Sequence, residues 1–343
     1  MTLSRRGLLN SLPLLAYGLW RKAAARSREL PPLPEAIAGQ FVGVHAGRIV
    51  VAGGTIWSRP KWEGGEKRWT PAILTLGAGE AAWRSSGEQT EPLAYGGAVS
   101  TAAGVVCVGG QGPGAASSSV HLLWWDGTRI RRRALAELPE PRMLLAAALS
   151  GDAIFAVGGQ ISPTAATASS KVWLLDGVNE RARWREASSL PGAGRILPAA
   201  AGGRGGVFVA SGAALSAGTR TYLRDAFLYR PDTGWSSLPD LPAPVVGAPA
   251  CCDSNGRCLI FGGDDGVHAG ETPDPGPRHP GFSRTILRFD RGNWRATGRL
   301  PEGLVTSGVV AWRGSLVIPG GENRPGARTT RVLSVQNLQG QTR

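Results

Sequence analysis

Short apolar runs that end in a pair of glycines recur along the whole chain. They read Val51-Ala52-Gly53-Gly54, Cys107-Val108-Gly109-Gly110, Ala156-Val157-Gly158-Gly159, Val209-Ala210-Ser211-Gly212, Ile260-Phe261-Gly262-Gly263 and Ile318-Pro319-Gly320-Gly321. The second glycines of successive pairs lie 56, 49, 53, 51 and 58 residues apart. Another β-rich run follows each pair, and in most units a tryptophan-bearing strand comes next. Trp83, Trp184, Trp235 and Trp294 hold that slot, with Trp124 or Trp125 a looser fit in the second unit. Most units close on Leu-Pro, at Leu138-Pro139, Leu190-Pro191, Leu241-Pro242 and Leu300-Pro301. Apolar runs this short, bounded by glycine and proline, read as β-strands rather than helices.

A period near fifty with double glycine and tryptophan is the kelch pattern, and it predicts four-stranded blades around an axis. A single blade cannot bury both faces of its sheet, whereas stacked neighbours can. Six matches predict an all-β fold, a six-bladed kelch-type β-propeller. The sixth unit holds three strands, from about Thr306 to Val335, and no tryptophan strand follows Gln336. Near the other terminus, Glu29-Leu30-Pro31-Pro32-Leu33-Pro34 resembles the closing segment of a unit whose earlier strands are missing. The expectation is a ring closed by an N-terminal strand that completes the last blade, leaving no exposed sheet edge there.

Composition adds the compartment and the class of ligand. Among 343 residues are 50 glycines and 25 prolines, and the net charge is +13. The arginines are scattered singly, except for Arg131, Arg132 and Arg133, which fall on an expected outer strand facing solvent. That distribution points away from nucleic acid and suits a small anionic ligand. Ser4-Arg5-Arg6-Gly7-Leu8-Leu9 resembles a twin-arginine export signal, followed by an apolar run to Trp20 and small residues at Ala23 to Ala25. Residues 1–25 therefore read as an export leader too short to span a bilayer, and residues 26–343 as the propeller, placed in the periplasm. Cys107 is expected in a buried strand. Cys251, Cys252 and Cys258 flank a hairpin turn, where one cross-strand disulfide fits, Cys251 with Cys258 being expected. No cysteine or histidine spacing suggests a metal, and no cofactor is called for.

The chemistry concentrates in the last unit. After Gly320 and Gly321 comes a lone carboxylate, Glu322, and six residues later Arg328, across a turn at Pro325 and Gly326. A carboxylate and a guanidinium on one tight loop can move a proton and hold an anion; they can equally pair and brace the loop. The longest loops between second and third strands are in unit one, from Thr55 to about Pro71, and in unit five, from Asp264 to about Arg284. In a ring of six these units flank unit six, so both loops should cover Glu322 and Arg328.

The segment Gly321-Glu322, Pro325-Gly326, Arg328-Thr329 resembles the catalytic segment of the kelch-type sialic acid mutarotases, or N-acetylneuraminate epimerases. The resemblance covers roughly residues 29 to 340. In the enzymes that define the family this segment lies in a middle blade, so the chain resembles a circularly permuted branch. Trp62-Glu63-Gly64-Gly65, Trp69 and Leu93-Ala94-Tyr95-Gly96 of unit one resemble the blade that follows it. Unit four, where an unpermuted alignment would place the glutamate, has Gly212-Ala213 instead. The resemblance implies interconversion of the α and β anomers of N-acetylneuraminate or a related acidic sugar, with Glu322 transferring the proton and Arg328 holding the substrate carboxylate. Further candidates for substrate contact are Arg284, Arg220, Asp264, Gln111 and Gln160. Trp57 and Trp69 can stack on a sugar or pack within unit one, and His268 and His279 can shuttle protons or face solvent. The competing reading is a non-catalytic propeller that binds a carbohydrate or protein. A copper oxidase is disfavoured, because four histidines and four tyrosines lie scattered.

Overall fold

A computed structural model of the protein describes residues 30–336 apart from 90, 204, 254–255 and 272–275. The expected leader, residues 1–25, lies outside them. Among the described residues no helix is long and apolar enough to cross a membrane.

Five antiparallel four-stranded sheets follow one another along the chain. Unit one holds Phe41–His45, Arg48–Ala52, Ala72–Leu76 and Arg84–Glu88. Unit two holds Gly97–Thr101, Gly104–Val108, Val120–Trp125 and Ile130–Ala134. Unit three holds Ala146–Ser150, Ala153–Val157, Val172–Asp176 and Trp184–Ala187. Ala199–Gly203, Gly206–Ala210, Ala226–Arg230 and Gly234–Leu238 form unit four. Ala250–Cys252, Cys258–Phe261, Thr285–Asp290 and Asn293–Arg299 form unit five. Unit six has three strands among the described residues, Val310–Trp312, Ser315–Pro319 and Val332–Gln336.

Each sheet shares an apolar core with the next. Phe155 and Val157 of unit three, for example, meet Val207 and Val209 of unit four. Ile49, Val51 and Leu74 of unit one pack against Val310, Trp312 and Val317 of unit six. A buried aliphatic side chain contributes roughly 1.5–3 kcal/mol, so these shared cores hold the sheets together. One residue just ahead of each first strand joins a circuit of backbone hydrogen bonds. Gly39 N–H donates to Thr306 O, Thr306 to Gly247, Gly247 to Leu197, Leu197 to Leu144, Leu144 to Tyr95, and Tyr95 back to Gly39, at 2.7–2.9 Å. All six residues have positive φ, from 52° to 71°, including the four that are not glycine. This arrangement is that of a β-propeller. On its axis a cavity of about 150 Å³ is walled by small residues such as Gly97, Ala146, Ala200, Ala250 and Gly308.

The segment Leu30–Pro34 carries no strand, and residues before it are outside the described set. Its backbone nevertheless repeats contacts made by the Leu-Pro segments of the other units. Leu33 N–H donates to Thr330 O at 2.8 Å, as Leu138, Leu190, Leu241 and Leu300 do to Ser118, Ser170, Arg224 and Arg284 in their units. Trp83 Nε1 reaches Pro31 O, two residues before Leu33. Trp184, Trp235 and Trp294 likewise reach Ala136, Ser188 and Pro239, two before Leu138, Leu190 and Leu241.

Three local expectations change. Both candidates for the tryptophan slot of unit two, Trp124 and Trp125, end the third strand, and the fourth strand, Ile130–Ala134, has none. The disulfide joins Cys252 to Cys258, not Cys251 to Cys258. Strand register decides this, because Cys252 stands directly opposite Cys258 while Cys251 stands opposite Leu259. In the arginine run, Arg131 and Arg133 are exposed but Arg132 is half-buried between them.

Candidate active site

The residue after each glycine pair occupies one repeated position. Thr55, Gln111, Gln160, Ala213, Asp264 and Glu322 are bridged to Ala38, Ala94, Met143, Ile196, Val246 and Val305, each of which directly precedes a member of the hydrogen-bond circuit. The glycine pair lets the strand end fold onto the circuit: Gly320 and Gly321 have φ of 64° and 112°. A side chain at Gly320 would meet Ile37 O at 2.7 Å.

Glu322–Arg324 and Ala327–Arg328 form a small hairpin in which Glu322 lies directly opposite Arg328. Residues paired this way share one face of the ribbon. Gly326 N–H donates to Glu322 Oε1 at 2.6 Å and ties down one carboxylate oxygen. Both long loops brace the turn. Lys61 N–H from unit one donates to Gly326 O at 2.9 Å, and Arg324 Nη1 donates to Pro277 O of unit five at 3.0 Å. Gly326 has φ of 73°, and a Cβ there would stand 2.6 Å from that of Lys61. The loops of units one and five thus meet over Glu322 and Arg328, as their lengths predict.

Arg328 does not pair with Glu322; among the described residues no ion pair joins them. Its Nη2 donates to Thr55 Oγ1 at 2.8 Å and to the Tyr95 hydroxyl at 3.0 Å, and its guanidinium carbon lies 5.4 Å from the Trp57 ring centroid. Thr55 Oγ1 and the Tyr95 hydroxyl are themselves 2.9 Å apart. Nε and Nη1 of Arg328 are buried without a hydrogen-bond partner, as are the indole nitrogens of Trp57 and Trp69. A buried guanidinium with two nitrogens lacking acceptors is suited to an anion.

A cavity of about 520 Å³ opens beside the hairpin, walled by residues from every unit that converges on the axis. Glu322, Arg220, Asp264 and Gln111 are on its wall. Arg328 is one contact removed, bonded to Tyr95, which is on the wall. Three expected contacts are elsewhere. Gln160 is buried and spends its amide on Ser162 O at 2.6 Å, and Arg284 Nε is held by Leu300 O at 2.8 Å. Trp69 stands behind Lys67, whose ammonium lies 4.8 Å from the Trp69 ring centroid and 4.7 Å from that of Tyr95.

The far wall is polar. Tyr222 donates to Asp264 Oδ2 at 2.9 Å, and burial, then the Asp264 charge, pushes its phenol up to about 12. His268 Nδ1 lies 2.7 Å from Glu271 Oε1 and its ring is 5.2 Å from that of His279. His279 is 7 % exposed, and its Nδ1 accepts the Gly281 N–H at 3.0 Å. Burial and the neighbouring His268 hold its pKa below the usual histidine value. Tyr95, Thr55, Lys67 and Tyr222 were not among the residues singled out for binding. The signal for Tyr95 is its place in Leu93-Ala94-Tyr95-Gly96, and for Thr55 its place after a glycine pair.

No model of a protein family matches the chain. It is 27% identical over 212 residues to N-acetylneuraminate epimerase of Haemophilus influenzae, a match covering 54% of each chain. The chain thus spans about half the length of that relative. It is 32% identical over 107 residues to N-acetylneuraminate epimerase 1 of Escherichia coli, covering 29% of this chain and 28% of the relative. To the N-acetylneuraminate epimerase of Brucella suis it is 31% identical over 124 residues, covering 32% and 30%. Among solved structures, one titled "Structure of YjhT" superposes with a TM-score of 0.68 at 16% identity, over 91% of this chain and 98% of that one. The chain therefore resembles the N-acetylneuraminate epimerases in sequence, and shares its fold with YjhT.

Proposed function

We infer that the protein is a six-bladed kelch-type propeller, closed through its N-terminal segment, that interconverts the α and β anomers of N-acetylneuraminate or a related acidic sugar. The observation that carries this reading is the hairpin: a carboxylate on a cavity wall, one oxygen tied down, opposite a guanidinium with two unspent donors. The hydrogen-bond circuit and the Leu33 closing slot support six blades and the closure. The hairpin's place in the last unit, with Ala213 at the corresponding position of unit four, supports the circularly permuted reading.

Mutarotation opens a cyclic hemiketal and recloses it on the other face. Glu322 takes the proton of the anomeric hydroxyl as the bond from the anomeric carbon to the ring oxygen breaks. Arg328 supplies the positive charge for the carboxylate carried on that same carbon. Positioned proton transfer of this kind contributes on the order of 10²–10⁴-fold. The residues 1–25 send the folded propeller across the inner membrane, and the sugar is met in the periplasm. The reading is tested by following anomer exchange of dissolved N-acetylneuraminate with and without protein; an exchange rate unchanged by the protein overturns it.

A further inference from the structure

Opening the ring needs an acid as well as a base, because the ring oxygen must leave as a hydroxyl. We propose that Lys67 is that acid, working against Glu322 across the same cavity; this rests on the mutarotase reading above. Both side chains are on the cavity wall. Lys67 comes from the strand Lys67–Trp69 in the long loop of unit one, and its ammonium is held over the rings of Trp69 and Tyr95. Tyr95 in turn touches Arg328, which stands opposite Glu322 on the hairpin. Among the described residues Lys67 makes no ion pair or hydrogen bond through its ammonium, so its donors are unspent. Two aromatic faces fix its place without using them.

Apart from Arg220, each of the other proton carriers on the wall already holds a partner, the Tyr95 hydroxyl with Arg328 Nη2 and Thr55 Oγ1. The Tyr222 hydroxyl is spent on Asp264. His268 Nδ1 is bonded to Glu271 and His279 Nδ1 accepts a backbone N–H, which leaves each ring only its Nε2. Arg220 is a guanidinium and gives up no proton. The two other carboxylates on the wall, Asp264 and Glu271, are bonded to Tyr222 and His268.

The step balances. Glu322 removes the anomeric hydroxyl proton, and the freed electron pair forms the carbonyl. The bond between the anomeric carbon and the ring oxygen breaks with its electrons on oxygen, and Lys67 delivers a proton there, becoming an amine. After the carbonyl turns its other face, the amine reclaims the proton as the oxygen attacks, and Glu322 returns its own. Both residues end as they began.

The test is anomer exchange by the full chain with Lys67→Met and Lys67→Arg, each checked for an unchanged melting transition. Both variants should lose kcat by on the order of 10²-fold or more, with KM nearly unchanged, because arginine keeps the charge but cannot release the proton. Added methylammonium should restore part of the kcat of Lys67→Ala. A Lys67→Arg variant at wild-type kcat, or a Lys67→Met variant altered in KM alone, would reduce Lys67 to a charge and overturn the assignment. A wild-type protein that leaves exchange untouched removes the mutarotase reading and this one together. Active wild type with fully active Lys67→Met removes this one alone.

Discussion

Arg328 and Tyr95, 233 residues apart in sequence, share a hydrogen bond of 3.0 Å. It joins the last unit to the first and turns the guanidinium so that Nε and Nη1 keep no partner. Arg328→Met should weaken binding of the carboxylated sugar by roughly 10- to 100-fold, the worth of a hydrogen bond to a charged group at about 1.5–3 kcal/mol. Binding of the sugar's methyl ester should change little. Tyr95→Phe, which keeps the ring but frees the guanidinium, should show a smaller loss of the same selectivity. Calorimetric titration of acid and ester decides it; equal losses for both ligands would mean that Arg328 acts on the fold instead.

A second arginine carries structure rather than chemistry. Arg195 is fully buried and is held by both carboxylate oxygens of Asp225, at 2.6 and 2.9 Å. Asp225→Ala should cost about 3 kcal/mol, the order expected when a buried charge loses its partner. Asp240→Ala, which breaks an exposed 3.9 Å contact with Arg224, should stay within about 0.5 kcal/mol. Denaturant unfolding measures both, and comparable losses would contradict this account.

The thiols should count in steps. Cys107 is buried and Cys251 half-buried, and burial pushes both thiols up, Cys251 to about 12 with Asp253 adding to the shift. Little reactive thiolate is then present at neutral pH. Native protein should take up no alkylating label within minutes. Unfolded without reductant it should take up two, and after reduction all four cysteines should react. Mass mapping should find Cys252 bridged to Cys258; a bridge to Cys251 would refute the register described here.

His279 links stability to pH. Its folded pKa is lowered, chiefly by burial, while the unfolded side chain titrates near about 6.5. As pH falls through that value the unfolded chain takes up the proton first, so stability should fall between the unfolded pKa and the lower folded one. His279→Gln should flatten this part of the profile relative to wild type in melting curves from pH 8 to 5. Parallel profiles would show that His279 does not contribute.

Much of the architecture was legible because it repeats. A glycine pair is needed wherever a strand end turns onto the circuit, and six such needs leave six marks. Unit four shows the tolerance of the code, since Ser211 takes the positive φ of 56° and binds Leu223 O and Val245 N–H through its hydroxyl. Glu322 and Arg328 were legible for the same reason, as an intrusion on the repeat. Thr55 and Tyr95 were not, because their contact with Arg328 exists only once the first unit is brought against the last. Gln160 and Asp264 hold the same position in different units, yet the amide of Gln160 is spent on its own loop while Asp264 lies on the cavity wall. Such a difference is set by loop packing, which spacing does not record.

In this mechanism Glu322 takes the anomeric hydroxyl proton of an acidic sugar and returns it once the ring has reclosed on the other face. Proton NMR on an equilibrated N-acetylneuraminate solution, with magnetisation transfer between the two anomers, reads this directly. Wild-type protein should speed exchange, and Glu322→Gln, which keeps the hairpin but not the base, should slow it by on the order of 10²-fold or more. Exchange by Glu322→Gln as fast as by wild type would contradict the account.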